Sequence, residues 1–168
     1  MKRREVKDAH EKSVIDSFTR YLAKAGRTLT VHSYPDPPDA MVQLDDQPTW
    51  IEVTDAFIGS DFARSLTSYA ADDMVHIPTE RKAIIDPDAR FAEVVRSVVE
   101  KKYTKASIGT IYRSDGAGVL LVGLYSPLLG SQEIADLVQC VSEMRKQRDG
   151  RFKEIYVYDQ SHNFYPVL

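Results

Sequence analysis

Residues 118–127 read GVLLVGLYSP, an apolar run that no charged residue interrupts. Continuous hydrophobicity over this length predicts a strand buried on both faces, the condition of a central strand in a sheet covered on each side. Helical periodicity supplies the cover. DAHEKSVIDSFTRYLAKAG sets Val14, Ile15, Phe18, Leu22 and Ala25 at helical spacing, with Asp8 and Glu11 in capping-box relation at its start and Gly26 at its end. DARFAEVVRSVVEKKYTKAS predicts a second helix with Phe91, Val94, Val95 and Val98 on one face, and SQEIADLVQCVSEMRKQRDG a third through Ile134, Leu137, Val138, Val141 and Met144. RTLTVHSY, DAMVQLDD and PTWIEVTD read as three strands of a meander, the second ending in an acidic turn. KEIYVYD and NFYPVL close the chain as two strands joined by a short polar turn. The order is αβββ, insertion, αβαββ, an α/β domain built around one mixed sheet.

A chain of 168 residues, 43% hydrophobic, is long enough for one domain with a proper core and short for two, so residues 1–168 are read as one unit. Residues 56–89 form an insertion, with a short helix expected in DFARSLTSYAA ahead of Pro78 and Pro87; a connection of this length is normally functional or carries structure of its own. No apolar run approaches the ~20 residues that span a bilayer, and MKRREVKDAHEK has no apolar stretch behind its basic residues. A soluble, cytoplasmic protein that does not engage membranes is expected. The single cysteine, Cys140, forms no internal disulfide and reads as a small packed side chain. The net charge of −3 argues against nonspecific nucleic-acid binding by the chain as a whole. Basic residues nevertheless gather at Lys2, Arg3 and Arg4, at Arg81 and Lys82, and at Lys101, Lys102 and Lys105, clusters that ordinarily mark a solvated face. His10, His32, His76 and His162 show no ligand spacing, which disfavours a zinc site. There is no nucleophile elbow and no glycine-rich phosphate loop. Trp50, Tyr69, Tyr103 and Tyr112 could stack on bases, though aromatics of this kind more often fill a core or its rim.

The chemistry concentrates in PPDAMVQLDDQPTWIEVTD, residues 37–55, where Asp39 and Glu52 stand 13 positions apart. A period of two on TWIEVTD puts Trp50, Glu52 and Thr54 on one face and Ile51 and Val53 on the other. A carboxylate in mid-strand between apolar neighbours is costly to bury without a compensating cation or donor. A lysine salt bridge, exposure at the surface, or a metal ion would each meet Glu52. Pro37 and Pro38 stiffen the approach to the strand and would fix Asp39 at its start; the plainer reading makes Pro-Pro-Asp a turn. Two carboxylates and the carbonyl of Val53 form a plausible partial shell for a hard divalent ion such as Mg2+. Such an ion polarises a phosphodiester and helps deprotonate the attacking water, and a nearby lysine stabilises the charge that builds on phosphorus.

These residues resemble the PD-(D/E)xK nucleases, the restriction-endonuclease-like fold. In that family an Asp, often after a proline, begins one strand, and Glu or Asp, any residue and Lys follow on the next. PPD ending at Asp39 and IEVT holding Glu52 match the first two elements, while Thr54 stands where lysine is expected and its hydroxyl supplies no full positive charge. The family core, αβββαβ with a mixed central sheet, corresponds to residues 1–124, leaving the last helix and β-hairpin as additions. In some members the lysine has moved to the following helix, and VVEKKYTKA offers one. Lys102 lies four residues after Val98 and three after Val99, Lys101 three after Val98, and Lys105 one turn further, so at least one lysine borders the inward face. Lys102 is preferred, with Lys101 and Lys105 as rivals; the plain alternative is a basic last turn favoured by the helix dipole. Glu11 admits two readings, a capping partner of Asp8 or a first-helix acid turned to the metal, as is common in the family.

The resemblance implies a nuclease dependent on Mg2+ or Mn2+, with Asp39, Glu52 and the Val53 carbonyl as ligands, Lys102 assisting the attacking water and the transition-state charge, and Thr54 orienting a water or a phosphate. It further implies DNA rather than RNA as substrate and a homodimer; a separate reading, beside the resemblance, makes the domain the effector part of a defence or mobile-element system with partner proteins. A reading from another class keeps the fold and removes the chemistry. It makes the chain a nucleic-acid-binding or protein-interaction module whose site decayed when the lysine became Thr54, and the acidic net charge favours it.

Overall fold

The computed structural model describes residues 2–59, 87–127 and 129–168. Its first element, α1 (Arg3–Lys24), begins five residues before Asp8, because Arg3 to Lys7 are themselves adequate helix formers. Glu5 accepts a hydrogen bond from the Lys2 backbone N–H at 2.6 Å, so the expected Asp8–Glu11 capping box does not exist and both residues lie inside the helix. At the other end Gly26, at φ +75°, closes a Schellman motif in which Arg27 N–H reaches the Leu22 carbonyl and Gly26 N–H that of Ala23, both at 3.0 Å.

Strands β1 (Leu29–Ser33), β2 (Ala40–Leu44) and β3 (Gln47–Phe57) form the expected antiparallel meander. Asp45 and Asp46, at φ +48° and +64°, make a two-residue turn between β2 and β3, and both central residues take the positive φ that a tight hairpin of this kind requires. The turn sets the register, with Leu44 opposite Gln47 and Ala40 opposite Ile51. Continuing it one step places Asp39 opposite Glu52. The 13-residue spacing is therefore that of a hairpin partner, and a slip of one residue would send either carboxylate to the other face.

The next described elements are α2 (Pro87–Thr104), α3 (Ala106–Asp115), β4 (Gly118–Tyr125), α4 (Ser131–Lys146), β5 (Phe152–Tyr158) and β6 (Phe164–Val167). The helix expected in DFARSLTSYAA, with Tyr69, Arg81 and Lys82, falls outside the described residues. Where one helix was expected through Ser107, the chain breaks at Lys105, which is extended (φ −67°, ψ 120°) and starts α3. The hydroxyl of Thr104 turns back to the Glu100 carbonyl at 3.0 Å, a local bond that competes with helix continuation.

The six described strands lie in chain order in one mixed sheet, parallel across β3–β4 and β4–β5 and antiparallel elsewhere. β4 is central and buried along almost its whole length, as its apolar run requires. Its residues alternate between two cores. Val119 and Leu121 join Ile51, Val53 and the α1 residues Val14, Ile15, Phe18 and Leu22, while Leu120, Val122 and Leu124 join Trp50 and the α2 and α4 residues Phe91, Val95, Val99, Leu137 and Val141. The fully buried stripe of α2 runs through Val99, with Val94 and Val98 only partly buried. Trp50 and Tyr103 are core residues, so neither presents a ring for base stacking. Among the described residues, no helix is long and apolar enough to cross a membrane.

Candidate active site

Glu52 projects from β3 toward the end of α2, while Asp39, just ahead of β2, lines a cavity with Arg4, Asp8 and Glu11 of α1; both acids are buried, at 1% and 5% exposure. Like charges directly across a ladder repel. Three contacts offset that repulsion. Lys102, from the last turn of α2, places Nζ 2.6 Å from Glu52 Oε1, and Lys105 at the α2–α3 break places Nζ 3.8 Å from the same oxygen. Asp39 Oδ2 accepts the backbone N–H of Val53 at 2.7 Å. Beyond Ala40 the β2 backbone no longer pairs with β3, so the aspartate side chain takes the place of a ladder partner. N–H and C=O of an extended residue point to the same neighbour, so the Val53 carbonyl faces the same edge.

Of the three lysines, Lys102 is drawn inward, with its side chain 16% exposed, whereas Lys105 is about half exposed. Lys101 is exposed and, among the described ion pairs, has none with either carboxylate. Thr54 is half-buried on the strand face of Glu52, two residues on. Glu11 is buried on α1 and pairs with Lys7 at 3.0 Å; Lys7 also lies 3.6 Å from Asp36. The Lys7–Glu11 pair has the i, i+4 spacing that could have revealed it in the sequence. Glu11 thus belongs to the margin of the site.

The electrostatics are those of crowded acids. Burial pushes the Asp39 carboxyl up to about 7, with the charges of Glu52 and Glu11 adding to the rise and the Val53 N–H and Lys102 opposing it. Burial likewise raises Glu11, against the pull of its bond to Lys7. Glu52 Oε2 is buried without a hydrogen-bond partner. An unsatisfied carboxylate oxygen next to a second carboxylate that resists ionisation is a donor set suited to a hard divalent cation. Asp39, Glu52 and the Val53 carbonyl are the atoms that could hold it. Among the described residues no group of three or more His, Cys, Asp or Glu side chains forms a cation cage, so water or substrate oxygens would complete the coordination.

Comparison with protein-family models, with curated proteins and with solved structures gave no match.

Proposed function

We propose that the chain is a divalent-metal-dependent nuclease of the PD-(D/E)xK type in which a lysine of α2 replaces the one absent at Thr54. The observation that carries this reading is the 2.6 Å contact of Lys102 Nζ with Glu52 Oε1. It brings an ammonium from another element to the carboxylate pair that the β2–β3 register assembles. Mg2+ or Mn2+ bound by Asp39, Glu52 and the Val53 carbonyl would polarise the phosphodiester and acidify a bound water. Lys102 holds Glu52 in place and sets a positive charge where negative charge builds on the phosphoryl oxygens. Lys105 adds a second, more solvated cation. The Val53 N–H fixes the rotamer of Asp39, and the Thr54 hydroxyl can donate to a water or a phosphate oxygen on the same face. DNA as substrate and a homodimeric assembly belong to this proposal through the family resemblance alone.

The test is incubation of purified protein with single- and double-stranded DNA and RNA in Mg2+, Mn2+ or chelator, beside Glu52→Gln and Lys102→Ala. Metal-dependent cleavage lost in Glu52→Gln and reduced at least a hundredfold in Lys102→Ala is the expected result, about the size of removing one transition-state donor. Cleavage that survives both substitutions places the chemistry elsewhere. No cleavage under any condition favours the binding module.

A further inference from the structure

The largest described cavity, of about 840 Å3, lies at the carboxyl ends of β3 and β4, away from the face that carries Glu52. Its volume falls in the range of small-ligand sites, roughly 300–1,000 Å3. Its wall combines two chemistries. Phe57 and Tyr125 are the last register pair of the parallel β3–β4 ladder, and their rings stack at 4.9 Å with planes 24° apart. Opposite them stand Lys2, just ahead of α1, and Arg3, Arg4, Lys7 and His10 from its first turns, five basic residues against the two carboxylates Asp36 and Asp55, of which Asp36 lies 3.6 Å from Lys7. His10 Nε2 is held at 2.8 Å by Asp55 Oδ2, and its ring meets Tyr125 edge-on at 6.0 Å. Tyr158 donates to the other oxygen of Asp55, so the histidine is anchored from within the sheet.

A smaller cavity, lined in part by Glu11 and Asp39, shares Arg4 and Asp36 with the larger one. Arg4 thus stands between the aromatic wall and the carboxylates. Ligands of open α/β sheets bind beyond the carboxyl ends of parallel strands, where this cavity opens. A flat π-face set against several cations matches a flat ring carrying a phosphate, and a lone inorganic anion would make no use of the rings. A base inside a duplex has both faces covered by its neighbours and cannot enter.

We propose that this cavity receives one unpaired nucleotide of a nucleic-acid strand, with the base against the Phe57–Tyr125 stack and the phosphate among the cations of α1. As a selector of cleavage substrate the cavity rests on the nuclease reading; as a binding site it does not. It makes single-stranded or locally opened nucleic acid the preferred ligand.

The test uses the full chain in EDTA, with fluorescence anisotropy of labelled 12-mers of single-stranded DNA, single-stranded RNA and duplex DNA across a salt series. Both single strands should bind more tightly than duplex, and their ratio shows which sugar is preferred. Phe57→Leu should weaken single-strand binding about tenfold or more, the scale of one lost stacking contact. Arg4→Gln, an exposed position, should lower the slope of log K against log salt by about 0.7. Adenosine monophosphate should compete, and ribose 5-phosphate at the same concentration should not. The proposal is overturned if duplex binds as tightly as single strand, if ribose 5-phosphate competes equally, or if folded Phe57→Leu binds as wild type; should Phe57→Leu not fold, an unchanged salt slope in Arg4→Gln overturns it. Base-dependent binding without cleavage in Mg2+ or Mn2+ retains this site and removes the nuclease. Glu52-dependent cleavage with undiminished Phe57→Leu binding does the reverse.

Discussion

Lys102 Nζ and Glu52 Oε1 lie 2.6 Å apart although their residues are 50 positions apart in the chain. The pair joins the last turn of α2 to the middle of β3 and neutralises a carboxylate with 2% of its side chain exposed. Removing one member of a buried pair strands the other charge. Lys102→Met should therefore lower metal-free stability by about 2–3 kcal/mol, less than the ~3–5 of a fully dry pair because the ammonium retains some solvent. Glu52→Gln strands Lys102 but relieves repulsion against Asp39, so it should cost less than Lys102→Met. In a urea-denaturation cycle the cost of Lys102→Met should largely vanish in the Glu52→Gln background. Additive effects would show that the contact carries no energy.

Asp39 provides the pH dependence of the same site. Its folded carboxyl is raised to about 7, above the ~3.9 of an unfolded aspartate, so between these values the folded state holds the extra proton. Stability of the metal-free protein from this group is fully present below about pH 4 and is lost as pH rises through 7. A divalent ion must displace that proton, so its affinity should climb over the same interval. Calorimetric titration with Mn2+ at pH 6 and pH 8, in buffers of different ionisation enthalpy, should show proton release at pH 6 and tighter binding at pH 8. Asp39→Asn should abolish both. A Mn2+ affinity indifferent to pH would remove Asp39 from the ligand set.

How much of this was legible depends on whether the signal was local. The Asp39–Glu52 pairing was, because the acidic turn at Asp45 and Asp46 and the alternation of TWIEVTD jointly set a hairpin register. A lysine at the inward edge of the second helix was readable from the distances to Val98 and Val99, although these left Lys101 and Lys105 as rivals of Lys102. The reach of Lys105 was not, since the α2–α3 break has neither glycine nor proline to announce it. The start of α1 was misplaced because Asp8 and Glu11 mimic a capping box, while Arg3 to Lys7 extend the helix by propensity alone. The aromatic cavity left no sequence trace. His10, Phe57 and Tyr125 meet only once the sheet is assembled, and no spacing connects them.

His10 should titrate above an ordinary histidine, because its hydrogen bond to Asp55 favours the charged ring more than burial opposes it. A raised folded value means that the stabilising contribution is complete below the unfolded value, near 6.5, and is lost as pH rises through the folded one. NMR titration of the imidazole signals should find His10 above 6.5 and lowered in Asp55→Asn. His162, whose burial holds it below the usual range, should titrate on the other side of 6.5 in the same spectra. A His10 midpoint unmoved by Asp55→Asn would show that the pair does not form in solution.

Two glycines of β4 are positions where a side chain has no room. A Cβ on Gly118 would overlap the indole of Trp50, and one on Gly123 would overlap Asp55 Oδ1 and the Tyr158 hydroxyl. Gly118→Ala presses on a fully buried ring whose Nε1 donates to the Gly116 carbonyl at 2.9 Å, so the indole cannot move without losing its acceptor. Overpacking of this kind costs about 1–3 kcal/mol. Gly123→Ala should cost a similar amount and also part Asp55 from Tyr158, which loosens the anchor of His10. The two substitutions are thus separable. Both should lower the thermal midpoint, but only Gly123→Ala should shift the His10 titration toward 6.5. An identical His10 midpoint in the two variants would mean that Asp55 holds the histidine without help from Tyr158.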